Sequence, residues 1–368
     1  MQILPAIQPL VEHVAVFMRS PVWLLPPIGL RQHPGFEEQN SASITLERLL
    51  VRRKANESVI NEYFKLYFSG SSSQNIALSH YNQAVQDYVP PHLPKEKLFP
   101  SSGAGCKRLV AGSDYLRSLR APNVKPVYGR IMSLTQDGCT DSNSTAHSNL
   151  DVIICATGFD TSYISRFPII GLDGTNIQEY WDPQPRSYLG IAADKFPNYF
   201  TLLGPYSPTA NGTLIPGLEA QVDCILAFID RYQSEANIHS FAPKAAAVDD
   251  FLAHHAAFME DRPWLHDSRT CPDEEDPGTK AKIPLIWPGT TLHYREAIKE
   301  IRFDDWDIVY KGNRFACLGN GISRTEMDPE ADLAWYLTDR DQSSFASRAK
   351  RREVQTRRTR VEGVEGVV

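Results

Sequence analysis

Two stretches of this sequence carry apolar runs into the small-residue turns that ligand sites need. DVIICATGFD (151–160) is apolar and β-branched almost throughout, then opens into Ala156-Thr157-Gly158, with Asp160 following. Such a run predicts a central parallel strand buried on both faces, and open α/β sheets place ligands at the C-terminal ends of these strands. Small residues there let the backbone approach a cofactor closely; the plain alternative is an ordinary strand-to-loop glycine. The second stretch begins with NYFTLLG (198–204), read as another strand, and continues through GPYSPTANGTLIPGLEAQ. After it, LEAQVDCILAFIDRY has helical spacing, with Leu218, Val222, Ile225, Leu226 and Ile229 on one face. Strand, glycine-containing loop and helix in that order turn the positive end of the helix toward a cofactor.

Other chemistry-bearing residues say less by themselves. Read alone, Arg108 is a surface ion-pair partner and Arg19 a salt bridge at the end of a helix or strand. The six cysteines (Cys106, Cys139, Cys155, Cys224, Cys271, Cys317) form no C-x-x-C pair and no zinc-like cluster with histidine. Neither a metal site nor a redox dithiol is expected from them; scattered cysteines of this kind are buried small hydrophobes.

The elements that must position these residues follow an α/β order. Residues 3–12 have helical spacing, with Pro5 tolerable in a first turn, and VAVF (14–17) then predicts a short buried strand. Helix followed by strand is the second half of a βαβ unit. Residues 42–100 read as a charged helical insertion closing on the proline-rich VPPHLPKEKLFP. NVKPVYGRIMSLT (123–135) alternates like a strand, and QDGCTDSNSTAHSN reads as a polar turn region. Beyond 241 the sequence becomes irregular, and SRAKRREVQTRRTRVEGVEGVV is a basic tail expected to be solvated and disordered.

The 368 residues suffice for two or more packed domains, and 42% hydrophobic with 22% charged residues is a globular composition. A formal net charge of −6 argues against a nucleic-acid binder. The N-terminus lacks a basic n-region, and Glu12 and His13 interrupt its apolar run, so it is no signal peptide. No uninterrupted apolar stretch is long enough to span a bilayer, and a cytoplasmic location is expected. The N-x-S/T triplets at Asn56, Asn143 and Asn211 carry little weight without a secretory signal.

Five segments in order resemble the flavin-dependent Baeyer–Villiger monooxygenases (class B flavoprotein monooxygenases), especially their fungal secondary-metabolism branch. They are ILPAIQP…VFMRSP, GCKRLVAGSDYL, DVIICATGFD, YLGIAADKFPNYFTLLGPYSP and IWPGTTLHYREAI…NRFACLGNG. The resemblance runs from Met1 to about Leu337. It implies an enzyme that uses FAD, NADPH and O2 to insert oxygen beside a ketone of a polyketide or terpenoid. The flavin supplies the redox chemistry, and protein groups bind and orient it.

Residue by residue, the resemblance implies a catalytic Arg108, fixed beside the flavin to stabilise negative charge; comparable preorganised donors are worth roughly 3–4 kcal/mol. Arg19 and Ser20 match a clamp for the 2′-phosphate of NADPH, an arginine fork beside a hydroxyl, with Lys107 adding a second positive charge. Ala156, Thr157 and Gly158 match the link between the two dinucleotide domains, and Leu214 matches a flavin backbone contact. Trp287 and His293 fall in a segment that closes over substrate, where they read as packing or positioning residues rather than a general base.

The implied fold is α/β: a partial flavoprotein with two dinucleotide-binding (Rossmann-like) domains, a helical insertion and an irregular C-terminal extension. The expected division is 1–40 and 101–165 for the NADPH-binding domain and its linker, with 41–100 as the insertion. The FAD-binding domain takes 166–240, the extension 241–340 and the tail 341–368.

The sequence departs from the family at several points. It lacks the N-terminal G-x-G-x-x-G for FAD, the G-x-G-x-x-A turn ahead of the first helix, and the F-x-G-x-x-x-H-x-x-x-W-P fingerprint. Only glycine permits such turns to approach a pyrophosphate, so the expectation is an N-terminally truncated member, with Met1 reflecting an internal start, a misread exon or a truncated gene copy. Cys271-Pro272-Asp273-Glu274-Glu275 replaces an aromatic and basic stretch of many relatives, which leaves the substrate open. Two rivals stand beside oxygen insertion: an inert fragment or non-enzymatic partner of a full-length paralogue, and an N- or S-oxygenating flavin monooxygenase. The sequence does not indicate an oligomeric state.

Overall fold

The structure is a computed structural model that describes residues 1–19, 22, 24–25, 45–62, scattered positions between 64 and 98, 110–160, 162–209, 213–260, 262, 284–323 and 325–337. Ser20, Lys107, Arg108 and the tail 341–368 lie outside the described residues, as do Asn211 and Cys271–Glu275. Two units divide the chain, Met1–Lys311 and Gly312–Val368. In the second, the described residues form short turns and a 3-10 turn at Ala316–Leu318.

The first unit opens with helix α1 (Ile3–Ile7), and strand β1 (Val14–Met18) follows, as the sequence predicts. Short strand β2 (Leu24–Leu25) precedes helix α2 (Leu46–Glu62), which lies in the expected helical insertion, and one-turn helix α3 (Lys95–Leu98) ends that stretch. Strand β3 (Val110–Ala111), helix α4 (Ser113–Ser118) and strand β4 (Val124–Tyr128) then restore the α/β order.

β1 pairs with β4 in parallel, Val14 opposite Val124 and Met18 opposite Tyr128, and β2 pairs in parallel with β3. Pro126 has no N–H to donate, which suits a strand whose other edge has no partner among the described residues. Leu4, Tyr115, Leu116, Leu119 and Val124 form the core beneath this pair. Asn123 clips it to α1: its side chain accepts from Gln8 Nε2 (2.9 Å) and donates to the carbonyls of Gln8 (3.0 Å) and Val11 (2.9 Å).

The polar region after β4 is not merely a turn. Strands β5 (Ile131–Leu134), β6 (Cys139–Asp141) and β7 (Ala146–His147) make an antiparallel meander. Asp141 organises it, accepting from the amides of Asn143 and Thr145 (both 2.9 Å) and facing His147 Nε2 at 3.0 Å. These hydrogen bonds hold its carboxyl below the usual range. A short polar sequence thus becomes sheet because one buried carboxylate satisfies the turn's amides, which hydrophobic periodicity cannot reveal.

Two expected strands are absent. Residues 151–160 form no strand and are exposed throughout, Val152 at 74% and Phe159 at 98%. A strand exists only as part of a ladder, and no described segment pairs with this one. Residues 198–204 also form no strand: Asn198, Leu203 and Tyr206 have positive φ (59°, 56° and 72°), and a lone bridge joins Ala192 to Phe200. Phe200 and Tyr199 pack against the neighbouring cores while Leu202 stays exposed, without the alternation of a pleat.

Helix α5 (Ile177–Tyr180) is held by an Asn176 cap, and α6 (Leu214–Ser234) contains the helix expected over 218–232 but begins four residues earlier, within the stretch read as loop. Strand β8 (Ile238–Pro243), helix α7 (Ala245–Glu260), helix α8 (Thr291–Ala297) and strand β9 (Trp306–Tyr310) follow. β8 and β9 pair antiparallel, Phe241 opposite Ile308 and Pro243 opposite Trp306. The region beyond 241 is therefore more regular than its composition implies. Phe228, Phe241, Val248, Tyr206, Tyr294 and Trp306 meet there in the larger core.

A candidate cofactor-facing site

The described candidates occupy three places. Arg19 is exposed directly after β1, at the C-terminal end of a parallel strand, where open α/β sheets bind ligands. Ala156, Thr157 and Gly158 are exposed, and Gly158 has φ 91° with nothing within 4 Å of a Cβ built on it. Glycine suits that conformation, and the space beside it is open. Leu214 is the first residue of α6 and is partly exposed. No hydrogen bond or ion pair links these three places among the described residues.

The start of α6 is chemically distinctive. Its first turn holds no acidic residue, and the Thr213 cap makes no side-chain hydrogen bond to the helix. The amides of that turn therefore lack a built-in anion. Behind it the packing is tight. A Cβ on Gly217 would meet Pro208 Cγ at 2.9 Å and Thr291 Cγ2 at 3.6 Å, so glycine lets the preceding loop and α8 close on the helix. Arg295 of α8 donates through Nη1 to the carbonyl of Pro216 at 2.8 Å.

The buried face of α6 is Gly217, Gln221, Cys224 and Phe228. The apolar residues at helical spacing do not mark that face: Val222, Leu226 and Ile229 are all exposed. Apolarity misled because this helix is apolar on its outer face and carries a fully buried amide on its inner one. Gln221 accepts from the Leu203 amide (2.9 Å) through Oε1. Its Nε2 donates toward Ser207 Oγ (2.9 Å), Tyr294 Oη (2.7 Å) and the Gly190 carbonyl (3.4 Å). Tyr294 in turn donates to the Leu189 carbonyl at 2.9 Å. Gln221, Ser207 and Tyr294 gave no signal in the sequence; a polar residue on a helical stripe with glycine and phenylalanine was the one available hint.

Trp287 and His293 are packed together. Trp287 Nε1 donates to His293 Nδ1 at 3.2 Å, its ring stacks on Phe251 at 5.8 Å and it meets the Tyr294 ring edge-on at 4.9 Å. Nearby, His255 is fully buried, with Nε2 3.0 Å from the Ile286 carbonyl, and burial holds its pKa down to about 4. Sequence reasoning also missed a buried ionic cluster beside α5. Asp194 accepts from Tyr180 Oη (2.6 Å) and Arg186 (3.1 Å), and Arg186 also reaches Asp249 (2.7 Å).

Among the described residues no group of three or more His, Cys, Asp or Glu could hold a metal ion, and no helix is long and apolar enough to cross a membrane.

No protein-family profile matches the chain. Individual proteins do. The chain is 29% identical over 343 residues, 91% of its length, to the FAD-binding monooxygenase moxY of Dothistroma septosporum, covering 54% of that protein. It is 28% identical over 352 residues (92% of its length) to the FAD-binding monooxygenase tazF of Aspergillus terreus, covering 62% of it. A Baeyer–Villiger monooxygenase of Streptomyces coelicolor is 25% identical over 338 residues, 90% of the chain and 62% of that protein. The chain is thus similar over nine-tenths of its length to FAD-binding and Baeyer–Villiger monooxygenases. It spans somewhat more than half the length of these curated relatives.

The fold agrees with the Baeyer–Villiger relationship. Cyclohexanone monooxygenase from Rhodococcus sp. Phi1 bound to NADP+ superposes with a TM-score of 0.64 at 23% identity, over 84% of this chain and 65% of that one. OTEMO in complex with FAD and NADP gives 0.66 at 20% identity, over 84% and 64%. The chain therefore has the α/β fold of flavoprotein monooxygenases with two dinucleotide-binding domains.

The residues present fit such cofactors in part. Arg19 offers an exposed guanidinium at a parallel strand end, Gly158 leaves open space, and the start of α6 has amides without an acidic neighbour. A G-x-G-x-x-G pyrophosphate turn is not among this chain's residues.

Proposed function

We propose that this chain serves an FAD- and NADPH-dependent monooxygenase of the Baeyer–Villiger type in a secondary-metabolite pathway. The reaction converts a ketone, O2, NADPH and a proton into an ester, NADP+ and water; a polyketide or terpenoid ketone is the substrate class. The carrying observation is that nine-tenths of the chain aligns with FAD-binding monooxygenases. FAD, when bound, supplies the redox chemistry. In this reading Arg19 and Ser20, aided by Lys107, grip the 2′-phosphate of NADPH. Ala156, Thr157 and Gly158 line the cofactor path, and the backbone at Leu214 contacts the flavin. Arg108 holds a positive charge beside the reacting oxygen and substrate carbonyl.

The test is visible absorbance of the expressed chain after desalting. Stoichiometric flavin, followed by NADPH oxidation and ester formation from a ketone, supports the proposal. In that protein Arg108→Ala abolishes ester formation and spares flavin reduction, and Arg19→Ala raises the requirement for NADPH more than that for NADH. A folded but colourless protein that stays colourless with added FAD overturns it. That result favours the second reading, a catalytically silent partner of a full-length paralogue. The exposed apolar run Val152–Phe159 is the observation in its favour.

A further inference from the structure

The loop that enters α6 is held from two sides by groups distant in sequence. On one side its backbone pairs with the segment before α8: the Tyr206 amide donates to the Leu285 carbonyl (2.9 Å), and the Trp287 amide donates to the Ser207 carbonyl (3.1 Å). On the other side stands Gln221, with no exposed surface, bonded to Leu203, Ser207 and Tyr294. Its oxygen accepts from the Leu203 amide, and its two N–H donors face Ser207 Oγ and Tyr294 Oη at short range, with the Gly190 carbonyl farther off at 3.4 Å. Leu203 and Tyr206 both have positive φ, so this loop follows a path that local preference does not supply. Gly190 and Gly204 allow the crowding: a Cβ on Gly204 would sit 2.7 Å from the Gly190 carbonyl oxygen, and one on Gly190 would sit 2.7 Å from Ser207 Oγ.

We propose that Gln221 is a positioning residue, fixing loop 203–208, with Tyr294 of α8 holding its amide, and so setting where the first turn of α6 points. The C-terminal helix thereby acts on the cofactor-facing end of α6 through Tyr294 and, by a second route, through Arg295 at the Pro216 carbonyl. A hydrophobic residue at 221 could fill the same volume but would leave the part-buried Leu203 amide without its side-chain acceptor and Ser207 with only its long bond to the Gly190 carbonyl, which the protein interior penalises. The structural claim stands on these contacts alone; its bearing on the cofactor rests on the function proposed above.

The experiment is hydrogen–deuterium exchange on the full chain as Gln221→Met and, because that variant could fail to fold, as Tyr294→Phe. Gln221→Met should speed exchange across 203–208 by about tenfold or more while leaving 224–232 of α6 unchanged. Tyr294→Phe keeps the acceptor for Leu203 and should give a smaller acceleration confined to the same loop. Uniform acceleration across α6, β8 and β9, as expected of a purely stabilising residue, overturns the proposal, as does an unchanged loop in either folded variant. If the parent chain binds FAD, the variants should also shift the flavin absorption bands; loop acceleration without a spectral shift refutes the link to the cofactor. A parent chain that binds no flavin refutes the functional reading instead, and the exchange data still decide the positioning claim.

Discussion

The region around β8–β9 and the region around residues 151–160 are comparably apolar in sequence but have opposite fates. In the first, Phe228 is 1% exposed and touches the rings of Trp306 (4.3 Å), Phe241 (5.2 Å) and Phe200 (5.3 Å). In the second, Phe159 is almost wholly exposed and the Val152–Ile154 run has no ladder partner among the described residues. The difference lies in what each needs. A helix satisfies its own backbone, and the β8–β9 ribbon requires one antiparallel partner, so apolar faces there find each other within about 120 residues. A parallel strand of the central kind needs neighbours on both edges and layers on both faces. α6 shows the same contrast within one element, with Phe228 packed and Leu226 exposed.

The comparison can be broken most forcefully at Phe228. Phe228→Ala should cost about 3–5 kcal/mol in urea unfolding, the usual range for a large ring removed from a packed core. A loss under 1 kcal/mol would show that this core is no better packed than the 151–160 run.

His255 sharpens the comparison through pH. Its folded pKa of about 4 lies below the unfolded value of about 6.5, so the unfolded chain binds more protons between these two values. Its contribution is complete above pH 6.5 and declines as pH falls toward 4, by on the order of 2–3 kcal/mol. His255→Gln should flatten that part of the stability profile; an unchanged slope would move the acid sensitivity elsewhere.

In the N-terminal region, Asn123→Ala should lower stability by about 1–2 kcal/mol, since it removes the clip between α1 and the β1–β4 pair. Native-state proteolysis should then cut near residue 11 first, and protection equal to the parent's would argue against the clip. The smallest effect is expected at Phe159→Ser: stability within about 0.5 kcal/mol, because an exposed ring loses little, with less light scattering on concentration. A large destabilisation would mean the run is covered in solution.

Parts of the candidate site's surroundings were legible: the end of β1 before Arg19 and the small-residue turn Ala156–Gly158 follow from local patterns, and the structure puts Gly158 at positive φ. Leu214, read as loop, is instead the first residue of α6. The site's supports were not legible. Gln221, Ser207 and Tyr294 span 88 positions, and their value lies in mutual distance rather than residue type. The Asp194–Arg186–Tyr180 cluster was invisible for the same reason.

The sequence by itself determined the helix–strand opening of α1 and β1, the helical character of α2, a strand at β4, a helix over 218–232 and the kinship carried by five ordered segments. These depend on interactions a few residues apart, or on motif order. Tertiary structure alone decided which side of α6 is buried, whether 151–160 and 198–204 become strands, and how a polar stretch folds around Asp141. Each of those outcomes turns on whether a backbone or polar group finds its partner far along the chain.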